Sequence, residues 1–210
     1  MSEYYSRRSR QARKGDWRTS NFCAIDLETT GLNLDQDEII AIGVTQIVNG
    51  RIITENNFYS QVKPLHQPST SSTKIHGLRT IDLEASPSMS MTIPALREAT
   101  RDRVIIAHAA WVERAFLDRQ AKGIFPKRVL DTALLAKSLG VAAQTPGQEP
   151  SLEFLARRLG VPVYAPHNAL GDAMTTSVVF LALVNLLERE SRKKNVPLLT
   201  LQMIWDKAKQ

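Results

Sequence analysis

The sequence predicts an α/β domain in which helices flank a mixed sheet of five strands. Two observations lead to this fold class. Three apolar segments with short links occupy the first third of the chain, and Asn49-Gly50 between the second and third is a strong hairpin signal. Helical patterns then alternate with two short apolar runs, which is typical of strands that join a sheet in parallel. We therefore expect three antiparallel strands plus two parallel ones.

Apolar runs predict the strands, and helical spacing with capping residues predicts the helices. The strands are expected near 21–27, 38–48, 51–62, 104–108 and 129–130. The longer helices are expected near 93–100, 111–121, 131–139, 151–159 and 168–189. Gly77 is the expected left-handed end of a further short helix, and Asp131 is the expected cap of its helix. Residues 64–73 and 140–150 are expected to be loops.

The composition is typical of one soluble domain. The chain has 210 residues, 43% of them hydrophobic, which is enough for one sizeable core. Its net charge of +6 is concentrated at the two ends, while residues 21–187 are close to neutral. We expect a basic, disordered tail over 1–18, a domain over 19–190, and a C-terminal tail or short helix over 191–210. Basic ends can contact nucleic acid, although solvated tails explain the composition equally well.

Three features indicate a cytoplasmic protein. The single cysteine, Cys23, excludes an internal disulfide and is typical of a buried residue in a reducing compartment. The N-terminus is charged and has no apolar signal segment. The longest apolar run, Val178 to Leu187, is too short to span a bilayer, so we expect no membrane partner.

Two carboxylates mark the end of the first strand. Asp26 and Glu28 are two residues apart, so they point to the same face of the strand while Leu27 points to the other. Like charges this close repel each other, and a compensating cation at the end of a buried strand removes the conflict. The pair therefore predicts a divalent metal site. The alternative is a strand end with two solvated acids.

Two further acids lie on core-facing helix stripes. Glu113 shares its face with Phe116 and Leu117, because residues three and four apart are neighbours on a helix. Asp172 shares its face with apolar residues of the last long helix. A carboxylate on such a face is costly unless it is paired or binds a metal. Taken alone, each acid is explained as well by an ordinary, partly buried carboxylate. The presence of Asp26 and Glu28 favours a metal site shared by all four acids.

The histidines supply a candidate proton acceptor. His167 precedes Asp172 by five residues, and a histidine beside a metal cluster can take a proton from water at neutral pH. His76 and His108 are weaker candidates, and a hydrogen-bonded structural role explains either of them at least as well.

These residues together resemble a known enzyme family. The segments 26–31 (Asp-Leu-Glu-Thr-Thr-Gly), 108–117 and 167–172 (His-Asn-Ala-Leu-Gly-Asp) are similar to the three motifs of the DEDD-type 3′–5′ exonucleases. The spacing of His167 to Asp172 resembles the subtype with a histidine base, known as DEDDh. The segment 75–77 (Ile-His-Gly) and the start of the helix at 131–132 resemble the DnaQ-like, epsilon-like proofreading branch. The similarity spans about residues 19–188.

The resemblance implies a fold and a cofactor. The fold would be ribonuclease-H-like. Two divalent ions, Mg²⁺ or Mn²⁺, would be bound: Asp26, Glu28 and Asp172 would hold the first, and Asp26 would bridge to the second with support from Glu113. His167 would activate the attacking water. Carboxylates and two ions suit phosphodiester hydrolysis, which must neutralise an anionic centre and a leaving 3′-oxygen.

The resemblance also implies a substrate. Terminal phosphodiesters of DNA, at single-stranded or frayed 3′ ends, would be cut to release nucleoside 5′-monophosphates. Thr29, Thr30 and Leu32 would hold the terminal nucleotide, and His76 and His108 are further candidates for substrate contact. A DNA polymerase or a repair complex is a possible partner.

The second motif departs from the family pattern. The family usually has His-Asn-x-x-Phe-Asp, whereas residues 108–113 are His-Ala-Ala-Trp-Val-Glu. Glu113 keeps the charge but reaches one methylene further. Two alternative functions follow: an exoribonuclease or oligoribonuclease of the same superfamily, and a weakly active nucleic-acid-binding module in which Glu113 marks a decayed site.

Overall fold

The computed structural model describes residues 15–126, 128–141, 149–196 and 198–208. A five-stranded sheet has the order β3-β2-β1-β4-β5. β1 pairs antiparallel with β2, and β2 with β3, whereas β1 pairs parallel with β4, and β4 with β5. The predicted mixed sheet is therefore confirmed. The strands are β1 (Phe22–Thr29), β2 (Ile39–Val48), β3 (Arg51–Gln61), β4 (Val104–Ala107) and β5 (Leu130–Asp131).

Eight α-helices lie within the described residues. They are α1 (Thr70–His76), α2 (Thr80–Leu83), α3 (Met89–Thr100), α4 (Trp111–Gln120), α5 (Thr132–Ser138), α6 (Leu152–Leu159), α7 (Ala169–Lys193) and α8 (Leu201–Lys207). Capping residues set several of their ends, and the left-handed end at Gly77 was predicted. The Asn168 side chain accepts a hydrogen bond at the start of α7, and Gly77 and Gly160 end α1 and α6 in the left-handed conformation.

Some boundaries differ from the prediction. α1 begins at Thr70, inside the expected loop, because the Ser69 side chain caps it by accepting a hydrogen bond from Ser72. α3 begins at Met89, before the expected residue 93, and includes Pro94. The one-turn helix α2 carries no apolar repeat long enough to detect. Most of the predicted loop at 140–150 lies outside the described residues.

Side chains of β1 alternate between two separate apolar layers. Phe22 and Ala24 pack on one face with residues of α7, including Phe180. Cys23 and Ile25 pack on the other face with residues of α3 and α4. Both faces of the strand are therefore buried, and the polar end of β1 emerges between the two layers.

The packed domain extends beyond the expected bounds of 19–190. Trp17 lies in a short 3₁₀ helix (Trp17–Thr19), is only 3% exposed, and packs against Phe22. Arg18 donates two hydrogen bonds, of 3.0 and 2.8 Å, to the carboxylate of Glu188. At the other end, α8 buries Trp205 in the same layer. Trp17 and Trp205 are therefore core residues, and the remainder of the predicted tail, 1–14, lies outside the described residues.

The helix α7 is the central helix of the domain. By length and composition alone it could cross a membrane, with a mean hydropathy of 1.7, but 56% of that apolar window is buried within the domain. Its buried residues include Thr175, Thr176 and Ser177. Thr45 of β2 fixes it to the sheet, since the Thr45 hydroxyl lies 2.6 Å from that of Ser177. This burial is the property expected of a core helix.

Candidate active site

Three carboxylates meet where β1 ends. Asp26 and Glu28 come from the last half of β1, and Asp172 comes from the first turn of α7. One oxygen of each side chain can be chosen so that all three lie within 4.8 Å of one another. All three side chains are partly exposed. We call these residues the carboxylate cluster; the sequence predicted all three members.

A glycine in β2 allows α7 to approach the cluster. Gly43 is the partner of Asp26 in the β1–β2 ladder. A Cβ atom at Gly43 would lie 2.2 Å from backbone atoms of Ala169, which is the first residue of α7. Only a residue without a side chain therefore lets the start of α7, and Asp172 with it, lie against the strand. The prediction missed this role, although an isolated glycine within an apolar strand is a recognised sign of close backbone approach.

The cluster is electrostatically unfavourable without a cation. Burial raises the pKa of Asp26 well above its ordinary value, and the neighbouring carboxylates of Glu113, Asp172 and Glu28 raise it further. Burial and the nearby Asp172 raise the pKa of Glu28 to about 7. The pKa of Asp172 is raised as well, mainly by burial. Such a set of acids fits a divalent cation, which favours the ionised form of each.

Glu113 occupies a different environment. Its side chain is only 5% exposed, and its Oε2 atom is buried with no hydrogen-bond partner among the described residues. Burial raises its pKa to about 8, with a further contribution from Asp131. Its charge acts on Asp26, which shows that the two carboxyl groups are neighbours, but Glu113 does not belong to the 4.8 Å cluster. An unpaired buried carboxylate oxygen is costly and fits a metal ligand.

His167 lies at the entrance to α7. It is exposed and has a left-handed backbone with φ of 60°. Its backbone N–H donates a 2.9 Å hydrogen bond to Oδ2 of Asp172. The histidine and the third carboxylate of the cluster are therefore joined directly, and the Asn168 cap beside them fixes the start of the helix.

The loop after β1 is held by Asp37. Its carboxylate accepts hydrogen bonds of 2.7 Å from the Thr30 hydroxyl and from the Asn33 backbone. A Cβ atom at Gly31 would lie 2.4 Å from this carboxylate, so the glycine is required for the contact. Asp37 was not among the predicted site residues, since a loop acid that binds its own backbone has no distinctive spacing.

Thr30 has a structural role in the loop after β1, and its contact with the terminal nucleotide stays a prediction. The residue is buried, and its hydroxyl also accepts a hydrogen bond from the Glu38 backbone. Its backbone N–H donates to Glu38, and its carbonyl accepts from Ser69. These bonds occupy its polar groups, because Thr30 fixes the loop between β1 and β2.

The three other predicted nucleotide contacts near β1 have different surroundings from Thr30; they are Thr29, Leu32 and His76. The Thr29 hydroxyl donates to the carbonyl of Gly31 at 2.7 Å, whereas Leu32 is 82% exposed. His76 accepts a hydrogen bond at Nδ1 from the Leu78 backbone, which leaves the proton on Nε2. Burial lowers the pKa of His76, and the nearby His167 contributes to this shift. His76 therefore lies on the His167 side of the site.

His108 also has a structural role, and its contact with the substrate stays a prediction. Its Nδ1 lies 2.9 Å from the Thr132 hydroxyl, and its Nε2 lies 2.8 Å from the carbonyl of Pro150. Both ring nitrogens are therefore occupied. Asp131 caps α5 as predicted, and its other oxygen accepts a hydrogen bond from Ala110 at the start of α4.

Solved exonuclease structures share this fold. Exonuclease X, in a complex with 5′ overhanging duplex DNA, is 22% identical, with a TM-score of 0.67 over 89% of this chain and 99% of that chain. The nuclease domain of 3′hExo, a DEDDh family member bound to rAMP, is 17% identical, with a TM-score of 0.66 over 89% and 98% of the two chains. These likenesses confirm the predicted ribonuclease-H-like fold.

Curated relatives are more similar in sequence. A DNA polymerase III PolC-type protein of Thermotoga maritima is 32% identical over 81% of this chain and 12% of its own length. A DNA polymerase III subunit epsilon-like protein of Rhodobacter capsulatus is 34% identical over 80% of this chain and 24% of its own length. The chain therefore spans only a small part of the curated relatives it matches.

A family model decides the assignment. The model of the exonuclease family named after RNase T matches residues 23–180, a segment that starts in β1 and contains the carboxylate cluster, Glu113 and His167. The predicted resemblance is thereby confirmed. This chain belongs to the RNase T exonuclease family.

Proposed function

We propose that this chain is a metal-dependent 3′–5′ exonuclease that removes nucleotides from single-stranded or frayed 3′ ends of DNA. The carboxylate cluster is the observation that carries this proposal. Its oxygens lie within 4.8 Å of one another at the carboxyl end of β1, although their mutual repulsion opposes that arrangement. Ligands of open α/β sheets bind at this end of the strands. The family membership then selects phosphodiester hydrolysis as the reaction.

The acids would hold two divalent ions, Mg²⁺ or Mn²⁺. Asp26, Glu28 and Asp172 would hold one ion, and Asp26 would share a second with Glu113. Carboxylate oxygens suit both of these hard cations. When bound, the ions supply charge neutralisation at the phosphate and at the leaving 3′-oxygen. The unpaired Oε2 of Glu113 supports its assignment, because a ligand role removes the cost of burying it.

His167 would accept a proton from the attacking water. Its hydrogen bond to Asp172 fixes it at the rim of the cluster, and its exposure leaves the residue accessible to solvent and substrate. Thr29, Leu32 and His76 would contact the terminal nucleotide. Exposed Leu32 offers an apolar surface to a base, and the protonated Nε2 of His76 is a buried donor that has no hydrogen-bond partner among the described residues.

DNA is the first candidate substrate, and RNA is the second. Several curated relatives are DNA polymerase III PolC-type proteins, which favours DNA and makes a DNA polymerase or repair complex a possible partner. The DEDDh neighbour 3′hExo is bound to rAMP, which favours RNA. A contact to the 2′-hydroxyl would separate the two. We also propose a cytoplasmic location without membrane association, because α7 packs as a core helix.

One experiment separates the candidate functions. Single strands of DNA and RNA with the same sequence and a 5′ label are incubated with Mg²⁺, with Mn²⁺ and with EDTA. We expect mononucleotides to be released stepwise from the 3′ end, only when metal is present, and faster from DNA. Faster release from RNA would make the chain an exoribonuclease. Binding of both strands without release of nucleotides would support the third hypothesis, a weakly active binding module. Full activity in EDTA would refute the metal site.

The role of His167 is tested separately. In His167→Ala we expect turnover to fall by roughly 10²- to 10⁴-fold, the usual effect of a positioned base. Metal affinity, measured by calorimetry with Mn²⁺, should stay near that of the parent. The matched control is His66→Ala, because His66 is an exposed histidine outside the carboxylate cluster. A loss of Mn²⁺ affinity with normal turnover at saturating metal would identify His167 as a ligand.

A further inference from the structure

A groove lies beside the carboxylate cluster on the same edge of the sheet. Its volume is about 320 Å³. Trp111 and Arg114 of α4 line one side, and Arg128 before β5 and Trp205 of α8 line the other. Ala110 and Asp131 also line it, and the 2.8 Å hydrogen bond between them ties the groove to the ends of β4 and β5. We call this feature the α4–α8 groove.

The groove is within reach of a strand that enters the cluster. β1, β4 and β5 are parallel neighbours, so their carboxyl ends share one edge. Leu130 of β5 is level with Ala24 of β1 through Ile106 of β4, and because adjacent strands are about 4.8 Å apart, Leu130 lies roughly 10 Å from Ala24, two residues before Asp26. Asp131 lines the groove and is a neighbour of Glu113, which is itself a neighbour of Asp26. The groove therefore lies beside the site of hydrolysis.

The side chains of the groove suit a single strand of nucleic acid. Trp111 is 56% exposed, and its Nε1 donates a 3.2 Å hydrogen bond to Glu149, which fixes the indole in place. An exposed, fixed indole is a platform on which a base can stack. The guanidinium of Arg114 lies 5.1 Å from the centre of the Phe125 ring, and that of exposed Arg128 lies 5.9 Å from the Trp205 ring. Two arginines beside a stacking platform suit a chain of alternating phosphates and bases, and the two carboxylates of the groove, Asp131 and Glu149, accept hydrogen bonds from the protein.

We propose that the α4–α8 groove binds the single-stranded nucleotides on the 5′ side of the terminal nucleotide, with a base stacked on Trp111 and a phosphate at Arg128. This inference rests on the proposed exonuclease function, because it extends the substrate path of that site. Direct binding tests the groove without requiring catalysis. Through these two contacts the groove supplies affinity for the nucleotide chain of the substrate, while the carboxylate cluster acts on the last phosphodiester.

Kinetics with a long and a short substrate test the inference. The long substrate is a single strand of about 12 nucleotides, and the short one is the p-nitrophenyl ester of thymidine 5′-monophosphate, which fills only the terminal site. In Trp111→Ala the KM for the long substrate should rise roughly 5-fold or more, the effect of losing one stacked base. The kcat and KM for the ester should stay unchanged. Trp111→Phe should retain most of the affinity, and Arg128→Ala should weaken long-substrate binding in a salt-dependent way.

The control is Tyr59→Ala, because Tyr59 is an exposed aromatic residue on β3, which is the outer strand of the sheet farthest from β5. It should leave both substrates unaffected. Equal changes for the two substrates in Trp111→Ala, or no change for either, would overturn the inference while leaving the exonuclease proposal intact. If the parent hydrolyses neither substrate, the proposed function fails, and direct binding decides on the groove.

Direct binding is measured in EDTA by intrinsic fluorescence. The other two tryptophans, Trp17 and Trp205, are buried, at 3% and 7% exposure, so Trp111 should dominate any quenching by ligand. Oligothymidylate of about 12 nucleotides should quench the parent, and most of the quenching should be lost in Trp111→Phe, although that variant still binds and Trp205 at the other side of the groove contributes a small remainder. Binding of the parent without quenching, or quenching of undiminished size in Trp111→Phe, would overturn the assignment of the groove.

Discussion

The carboxylate cluster and the buried surroundings of Glu113, which we call the Glu113 pocket, hold carboxyl groups in two different ways. The three acids of the cluster are partly exposed, and two structural elements, β1 and α7, bring them together. Glu113 is buried almost completely, and one oxygen has no hydrogen-bond partner among the described residues. In the cluster, repulsion between neighbours adds to the effect of burial on the pKa values. Burial is the largest cause of the raised pKa values in both regions, and at Glu113 the only further charge that raises the pKa is that of Asp131.

The difference separates two costs that a bound cation would relieve. Ionising the cluster acids is unfavourable because they are partly buried and also because like charges lie close together, and solvent screens part of that repulsion. Ionising Glu113 is unfavourable mainly because a carboxylate in a nearly dry pocket loses its hydration without gaining a partner. An ion held by the cluster relieves repulsion as well as desolvation, whereas an ion that reaches Glu113 relieves mainly desolvation. The two regions should therefore respond differently to substitution, to metal and to pH.

The largest effect is expected when the cluster loses one member. Asp172→Asn keeps an oxygen that can accept the His167 hydrogen bond but removes the charge, so hydrolysis should fall by at least roughly 10²- to 10³-fold. The metal-free protein should melt at a higher temperature than the parent, because one repelling charge is gone. Turnover and thermal melting in EDTA measure the two effects. Asp35→Asn, in the exposed loop after β1, is the control and should change neither. A much lower melting temperature would contradict the repulsion argument.

A smaller loss of activity is expected when Glu113 is replaced, and it tests whether Glu113 and the cluster differ in their role. Glu113→Gln preserves the shape of the side chain and removes its charge. If Glu113 supports a second ion, activity should fall roughly 10- to 100-fold, and the Mg²⁺ concentration for half-maximal rate should rise. Glu113→Asp should keep measurable activity with a changed preference between Mg²⁺ and Mn²⁺, because the shorter acid holds the ion differently.

The control for this pair is Asp118→Asn, an exposed acid on the same helix. It should leave activity and metal dependence as in the parent. If Glu113→Gln hydrolyses single-stranded DNA at the parental rate in low metal, Glu113 is outside the site. The unpaired oxygen would then be a structural cost, and the second ion would need another ligand.

The sequence predicted the cluster because its evidence is local. Asp26 and Glu28 share a strand face by alternation alone, and the apolar periodicity of α7 puts Asp172 on its buried side. The sheet was predictable from the hairpin and from the order of the elements. What was missed depends on contacts between distant segments: Gly43 is required by the backbone of Ala169, and Trp17 is buried by packing against Phe22. His108 and Thr30 have ordinary motif positions, and only the structure shows that their hydrogen-bonding groups are occupied.

The smallest effect concerns pH, and it separates the two regions without any catalytic assay. In the metal-free protein the pKa of Glu113 is raised to about 8 and that of Glu28 to about 7, from an ordinary value of 4.5 for each. Between those limits the folded chain binds more protons than the unfolded chain, so the free energy of unfolding falls as pH rises from about 5 to about 8. Each carboxyl contributes at most roughly 1.4 kcal/mol per pH unit to this slope.

Glu113→Gln should remove the contribution of Glu113 to the slope up to about pH 8, whereas Glu28→Gln should remove a smaller contribution that ends near pH 7. Urea unfolding in EDTA at several pH values measures the slopes, with Glu55→Gln on the exposed part of β3 as the control. Saturating Mg²⁺ should flatten the slope of the parent, because the ion favours the ionised carboxylates. Equal slopes in the parent and Glu113→Gln would show that Glu113 is already ionised in the folded chain, and the contrast between the two regions would be lost.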